Sequence, residues 1–165
     1  MVNQPPPHTE MKRSTLFLFP ALVLFIALTG AAIQTTDTCD SKALKDKAKA
    51  GLDPFKYDSG KLTRIYYKKK EQLKEIEIPV FVGEKYRFVF NTEGVTRSLK
   101  VSVFNKDKES KGRKELYTFD AATNKDLAVW EPTGRALKYY VDYSIPATTD
   151  SLPTPECMVL MIGYK

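Results

Sequence analysis

The sequence predicts a mainly β protein: a β-sandwich of jelly-roll or Greek-key type, with about eight strands and one short N-terminal helix. Three observations lead to this fold class. Apolar and polar side chains alternate over most of the chain after residue 61. Turn-forming residues separate the alternating stretches at short intervals, and the stretches are rich in Tyr, Phe, Val and Ile, which fit a pleated, half-buried surface.

An export signal is predicted at the start of the chain. A basic pair precedes an uncharged apolar run at residues 16–28, and small residues follow it up to Ala32. A basic segment, an apolar core and a small-residue cleavage motif make a secretory signal, so we expect residues 1–32 to be removed. The alternative is an uncleaved membrane anchor at residues 16–33, which is just long enough to span a bilayer. Met11, next to the basic pair, is an alternative start.

The exported part is predicted to be a single basic domain. Residues 33–60 form a lead segment with a short helix, and residues 61–165 form the β-sandwich. Without residues 1–32, 24 Lys and Arg stand against 19 Asp and Glu. Such a surface favours anionic envelope components, for example lipid head groups or acidic polysaccharide. We expect no nucleic acid partner for an exported protein of this kind.

A short helix and a disulfide are predicted before the strands. Asp40 is a good N-cap residue, as is the threonine two positions earlier. Leu44 and Ala48 form a small apolar stripe, and a glycine follows as the helix stop. Two cysteines in an exported chain are usually paired, so we expect Cys39 and Cys157 to be joined. The disulfide would hold the helix over one end of the core.

Eight alternating stretches are the predicted strands, and they lie at residues 62–69, 73–82, 86–90, 99–103, 116–119, 127–131, 138–145 and 157–164. Pro79 has no amide hydrogen to donate, so the second strand should lie at a sheet edge or bulge there. The last strand is apolar on both faces, which indicates a central strand that is covered on both sides.

The two faces of the last strand are assigned as follows. Val159 and Met161 should pack into the sandwich core with Tyr86 and Phe88. The other face should lie under the helix or bind a partner protein, and it consists of Met158, Leu160 and Ile162.

A family resemblance rests on the order Ile76-x-Ile78-x-Val80-x-x-Gly83-x-x-Tyr86-x-Phe88 and on Tyr139-Tyr140-Val141 followed by the last strand. Residues 73–165 thereby resemble the bacterial pre-peptidase C-terminal-type domains. The resemblance implies a small extracellular β-sandwich. In that family the domain is appended to a secreted enzyme, whereas here it would stand alone.

Few residues are suited to catalysis. The only histidine, His8, lies before or within the signal, so the exported domain lacks Ser-His-Asp and Cys-His systems and zinc sites with histidine ligands. We therefore predict no catalytic residue, no metal site and no cofactor. Glu75 and Glu77 lie two apart on one strand and form a carboxylate pair of the kind found in glycosidases, which leaves a hydrolase as a third hypothesis.

Surface aromatic residues are the remaining binding candidates. Trp130 is the best single choice, because it adjoins a turn and is out of phase with its strand neighbours. Five tyrosines could extend a sugar-stacking face, and they are Tyr66, Tyr67, Tyr139, Tyr140 and Tyr143.

The function predicted first is an exported, non-enzymatic β-sandwich that acts as a structural or protein-interaction module of the bacterial cell envelope, in the periplasm or at the cell surface. Its expected partner is an envelope protein. The alternative is a carbohydrate-binding module that uses surface aromatic residues to bind an envelope glycan.

Overall fold

The computed structural model describes residues 39–124, 127–150 and 155–165. These residues form one helix and eight strands, and the strands make two four-stranded antiparallel sheets. This confirms the predicted mainly β sandwich. The elements are α1 (Ser41–Ala50), β1 (Lys56–Ile65), β2 (Gln72–Pro79), β3 (Tyr86–Asn91), β4 (Lys100–Phe104), β5 (Glu115–Asp120), β6 (Leu127–Trp130), β7 (Lys138–Ile145) and β8 (Glu156–Tyr164).

The strands pair as in a long hairpin that has been rolled up. The first sheet has the order β1-β8-β3-β6, and the second sheet has the order β2-β7-β4-β5. The first strand therefore pairs with the eighth, the second with the seventh, the third with the sixth and the fourth with the fifth. This pairing is the jelly-roll arrangement. The edge strands β1 and β2 line the same cavities along one open side of the sandwich.

The loops gather at two ends of the sandwich, because all neighbouring strands are antiparallel. The described residues of the loops after β1, β3, β5 and β7 lie at the end of the sandwich where β8 begins, and we call this the disulfide end. The loops after β2, β4 and β6 lie at the opposite end, which we call the far end.

The predicted disulfide is present and joins Cys39, just before α1, to Cys157 in β8, with 5.5 Å between the Cα atoms. Asp40 caps the helix, and its carboxylate accepts hydrogen bonds from the amides of Lys42 and Ala43. The disulfide indicates a non-reducing environment outside the cytoplasm. The predicted signal or anchor at residues 1–32 lies outside the described residues, and within the described ones no helix has the length and apolar character of a membrane span.

Strand β8 is buried on both faces, as predicted, but the assignment of its faces was wrong. The side chains of Met158, Leu160 and Ile162 are fully buried between the two sheets. Their backbone partners in β3 explain this, since Phe90 is paired with Leu160 and Phe88 with Ile162. Paired residues share a face of the sheet, so these three side chains belong to the core and form no surface for a partner.

The opposite face of β8 is the one that α1 covers. Val159 and Met161 pack with Leu44, Ala48 and Leu52 in a second apolar layer. Cys157 belongs to this face too, because it is two residues before Val159. The domain thus has three layers: the helix, the first sheet and the second sheet.

Two strands, β1 and β2, differ from the predicted bounds by three residues or more, and the others differ by one residue at most. Strand β1 begins at Lys56 rather than at residue 62, so the predicted domain boundary at residue 61 falls inside it. Backbone pairing with β8 holds its first residues in the strand. Because these residues are mostly exposed and polar, the sequence shows no apolar alternation there. Strand β2 ends at Pro79, and the predicted extension to Val82 is a turn with Val82 exposed. Pro79 lies on an edge strand, as predicted.

Candidate functional site: a cationic groove

A groove of about 500 Å³ lies between the edge strands β1 and β2, near the disulfide end. One wall comes from β1 and the residues just after it, and the other comes from the start of β2. The side chains that define this cationic groove are Arg64, Tyr66 and Lys68 on the first wall and Gln72, Leu73 and Lys74 on the second. Leu62 and Ile145 complete the lining, so apolar, aromatic and cationic groups meet in one cavity.

The alternation of residues along β1 explains the first wall. Successive side chains of an extended chain point to opposite sides, so Arg64 and Tyr66 share one side while Thr63 and Ile65 share the other. Thr63 and Ile65 are buried, whereas the side chain of Tyr66 is 55% exposed. The same alternation continues past the end of β1 and brings Lys68 to the groove.

Three hydrogen bonds hold the wall that follows β1. The side-chain amide of Gln72 donates to the carbonyl of Tyr66 at 2.8 Å, and the amide of Thr148 donates to the carbonyl of Lys68 at 2.8 Å. The hydroxyl of Tyr67, on the opposite side of the chain, donates to a carboxylate oxygen of Glu156 at 3.1 Å. The groove is therefore pre-organised by contacts with β2, with the loop after β7 and with β8.

The carboxylate of Glu156 has several donors. Although its side chain is buried, it also accepts hydrogen bonds from the amide and the hydroxyl of Thr96 and from the amide of Arg97. The guanidinium of Arg97 lies over the ring of Tyr67, 5.2 Å from its centroid. Burial, reinforced by the charge of Glu156, raises the pKa of Tyr67 far above its ordinary value, so this hydroxyl remains a donor.

The three cations of the groove, Arg64, Lys68 and Lys74, are not paired with a carboxylate of the described residues. Lys69 and Lys70 are exposed in the same loop and are equally without an ion pair in this part of the chain. Uncompensated positive charge in a concave site raises the local concentration of anions.

The groove has the chemistry of a binding site. None of the residues that line it is an acid, a histidine, a serine or a cysteine. It therefore offers positive charge for an anion and an aromatic ring for stacking. Across the described part of the chain, no three His, Cys, Asp or Glu side chains are grouped as metal ligands would be.

Trp130 and Tyr139, two of the predicted sugar-binding residues, belong to an aromatic cluster of the core. The ring centroid of Trp130 is 5.2 Å from that of Phe88, 5.2 Å from that of Tyr139 and 6.0 Å from that of Tyr117. Trp130 faces inward because its backbone partner is Phe88, a core residue. The rings pack on one another, so they do not form the exposed platform that the sequence predicted, although both line a cavity of about 280 Å³ at the far end.

Tyr140 lies on the outer face of the second sheet and is also covered. Only 9% of it is exposed, and the ammonium group of Lys138 lies over its ring, 6.0 Å from the centroid. Burial is the main cause that raises the pKa of the Tyr140 hydroxyl. Among the six aromatic residues put forward by the sequence, Tyr66 is the one whose side chain is largely exposed.

The carboxylates of Glu75 and Glu77 are both engaged by cations. A carboxylate oxygen of Glu75 lies 2.8 Å from the guanidinium of Arg113, and one of Glu77 lies 2.8 Å from the ammonium group of Lys138. Neither residue lines the cationic groove. The arrangement gives each carboxylate a structural partner on the outer face of the second sheet.

A second candidate surface lies at the far end, where the loops after β2 and β6 meet. The amide of Val80 donates to the carbonyl of Leu137 at 2.9 Å and ties the two loops together. Three apolar side chains project there: Phe81 is 75% exposed, Val82 is 59% exposed and Leu137 is 70% exposed. The groove beside them measures about 420 Å³ and is lined by two acids and two bases, which are Glu84, Lys85, Glu131 and Arg135.

Sequence reasoning identified parts of the cationic groove without assembling it. It placed Tyr66 among the aromatic candidates, but it did not assign Arg64 or Lys74 to a site. The signal for the first wall was available, because Arg64, Tyr66 and Lys68 are spaced by two in an extended segment. Lys74 belongs to a strand of the other sheet, and no local sequence pattern predicts that this strand lies beside β1.

Comparison with known proteins finds no family model that matches the chain and no curated protein that matches it. The functional assignment therefore depends on the geometry and charge of this chain.

Proposed function

We propose that this chain is an exported, non-enzymatic binding module of the bacterial cell envelope, and that its cationic groove binds an anionic envelope component. The carrying observation is the convergence of Arg64, Lys68 and Lys74 in a cavity whose lining holds no carboxylate. The predicted export signal and the disulfide support a location in the periplasm or at the cell surface.

A non-enzymatic role is supported by the chemistry of the side chains. The lining of the groove has no carboxylate, histidine, serine or cysteine, and the only carboxylate pair suggested by the sequence, Glu75 and Glu77, is bound by Arg113 and Lys138. The resemblance of residues 73–165 to pre-peptidase C-terminal-type domains, which are appended to enzymes, is consistent with this role. Hydrolysis remains the third and least supported function.

The proposal is tested by retention of the exported, disulfide-bonded protein on immobilised heparin, used as a general polyanion. We expect salt-sensitive retention that is lost in the triple variant R64A/K68A/K74A, because the attraction between exposed charges is screened by salt. A matched control, K45A/K108A/K114A, removes the same charge from exposed sites away from the groove. Equal loss in the two triple variants, or no retention of the wild type, would overturn the proposal.

A second candidate function, binding of an envelope protein, is favoured by the far end. Phe81, Val82 and Leu137 expose large apolar side chains close together, and clusters of this kind often mark protein interaction sites. If a partner binds there, it should co-purify with the wild type and with R64A/K68A/K74A but not with F81S/L137S. Loss of the same partner from the groove variant alone would contradict the far-end assignment.

A further inference from the structure

We propose that the anion bound in the cationic groove is a linear acidic polysaccharide, and that Tyr66 stacks on one of its sugar rings. This inference rests on the proposed function, since it names the ligand class of the same groove. It begins from the position of Tyr66, which lies between Arg64 and Lys68 on one side of an extended segment.

The ring of Tyr66 is free to receive a ligand. In the described residues no other aromatic ring packs on it and no cation lies over it, whereas Tyr57, Tyr67 and Tyr140 each carry a cation over the ring. Its side chain is 55% exposed, yet its carbonyl is fixed by Gln72. An exposed ring on a fixed backbone presents a flat apolar face at low cost in ordering.

The order of groups along this wall is cation, ring, cation. An extended chain advances about 3.3 Å per residue, so the Cα atoms of Arg64 and Lys68 are about 13 Å apart at most, with Tyr66 midway. Lys74 supplies a further cation from the opposite wall. A chain with repeated acidic groups and sugar rings can meet the cations and the ring together.

The shape of the site favours a polymer chain over a lipid surface. A bilayer is engaged by apolar side chains that project into it, and here the partly buried Leu62 and the half-exposed Leu73 lie in the walls of a groove that also holds three cations. An acidic peptide would match the cations but has no need of the aromatic ring. The stacking face of Tyr66 thus separates a polysaccharide from other polyanions.

The ligand would be bound and not cleaved. With no carboxylate or histidine in the lining, the groove lacks the pair of carboxyl groups that usually hydrolyses a glycosidic bond. The polysaccharide should therefore keep its chain length after prolonged incubation with the protein.

The test compares four probes on the exported, disulfide-bonded protein: polygalacturonate, poly-L-glutamate, neutral dextran, and vesicles of phosphatidylglycerol and phosphatidylcholine. We expect polygalacturonate to bind best and dextran not to bind. Tyr66→Ala should weaken polygalacturonate binding about tenfold, the order of one stacked ring, and leave poly-L-glutamate binding unchanged. Tyr66→Phe keeps the ring and serves as the matched control, so it should bind like the wild type.

The outcomes separate the inference from the proposed function. Equal binding of polygalacturonate and poly-L-glutamate, with no effect of Tyr66→Ala, would overturn the polysaccharide while leaving an anion-binding groove. Tighter binding to the vesicles than to polygalacturonate would assign a lipid surface and overturn it as well. Absence of binding to every charged probe would remove the proposed function itself.

Discussion

At the scale of single residues, Glu156 shows how one buried carboxylate organises the disulfide end. It accepts hydrogen bonds from the hydroxyl of Tyr67, from the amide and hydroxyl of Thr96 and from the amide of Arg97. A buried charge is tolerated when hydrogen bonds satisfy it. These bonds join the loops after β1 and β3 to the first residue of β8, and so they fix the loop that forms one wall of the cationic groove.

Glu156→Ala should therefore destabilise the protein. The donors on Tyr67, Thr96 and Arg97 would lose their acceptor. Because Thr96 is exposed and the other two residues are partly buried, water replaces part of what is lost, and we expect a fall of about 1–3 kcal/mol in the free energy of unfolding. Chemical denaturation measures it. Glu109→Ala, at an exposed position whose side chain makes no bond in the described residues, is the control. Equal stability of the two variants would show that the network contributes nothing.

Arg113 has two acidic partners on the outer face of the second sheet. Its guanidinium donates to both carboxylate oxygens of Asp142 at 2.8 Å and to Glu75 at 2.8 Å, while it lies over the ring of Phe104. Burial, followed by the charge of Asp142, raises the pKa of Glu75 above its ordinary value. The single positive charge of Arg113 is thus shared by two carboxylates, and the negative charge of Glu75 is the one that is less well compensated.

The stability of this site should depend on pH. Because the pKa of Glu75 is higher in the folded state, the native protein binds the proton more readily, and stability falls as pH rises from the ordinary carboxyl pKa through the raised one. Glu75→Gln should therefore raise the melting temperature at about pH 7, and the gain should shrink towards about pH 4.

The control for this prediction is Glu77, whose pKa is shifted in the opposite direction to that of Glu75. The hydrogen bond from Lys138 lowers the pKa of Glu77, so Glu77 contributes stability above the ordinary carboxyl pKa and loses it as pH falls. Glu77→Gln should give a slightly lower melting temperature near neutral pH. A Glu75→Gln protein that melts lower than the wild type at neutral pH would mean that the ion pair with Arg113 outweighs the cost of burial.

At the scale of elements, α1 and β8 define the second apolar layer. The helix is short and rich in lysine, and its buried face consists of Leu44 and Ala48. An isolated helix of this length is marginal in water, so packing against β8 and the disulfide must stabilise it. The helix in turn covers Val159 and Met161, which allows β8 to be apolar on both faces.

Leu44→Asp tests this reciprocal packing. The substitution removes a buried side chain worth about 1.5–3 kcal/mol and adds the cost of burying a charge, so we expect a clear fall in melting temperature. Lys45→Asp introduces an acid at an exposed neighbour and is the matched control. If Leu44→Asp has the same melting temperature as the wild type, α1 does not cover β8 in the way described.

At the scale of the whole molecule, the jelly roll brings together the two ends of the domain. Strand β8 pairs with β1 and β3, and the disulfide ties the residue before α1 to the same strand across a separation of 118 residues. A cross-link over so long a loop removes much of the conformational freedom of the unfolded chain.

Removal of the cross-link should lower stability substantially. The chain-entropy model gives an upper limit of about 4–5 kcal/mol for a loop of this length, so the variant C39S/C157S should unfold at a markedly lower denaturant concentration. Wild-type protein in reductant should behave like the variant. An unchanged unfolding midpoint in both cases would show that packing of α1 alone supplies the constraint.

The sequence by itself determined the features whose signals are local. The alternation in 138–145 defines β7 with its observed bounds, Pro79 indicates an edge strand, and the predicted export signal implies that Cys39 and Cys157 are paired. These signals arise because side-chain direction in a strand and the chemistry of cysteine depend on a few neighbouring residues. The pairing of Cys157 also carried unused information, because it places Val159 on the same face as the cysteine and hence beneath the helix.

Tertiary structure alone decided the features that depend on register and on contact between distant strands. Leu160 faces the core because it is paired with Phe90, and no pattern within an entirely apolar strand distinguishes its two faces. The cationic groove likewise exists because β1 and β2, edge strands of different sheets, bring Lys74 close to Arg64. Local periodicity predicts the direction of a side chain, but the packing of two sheets determines which side chains meet.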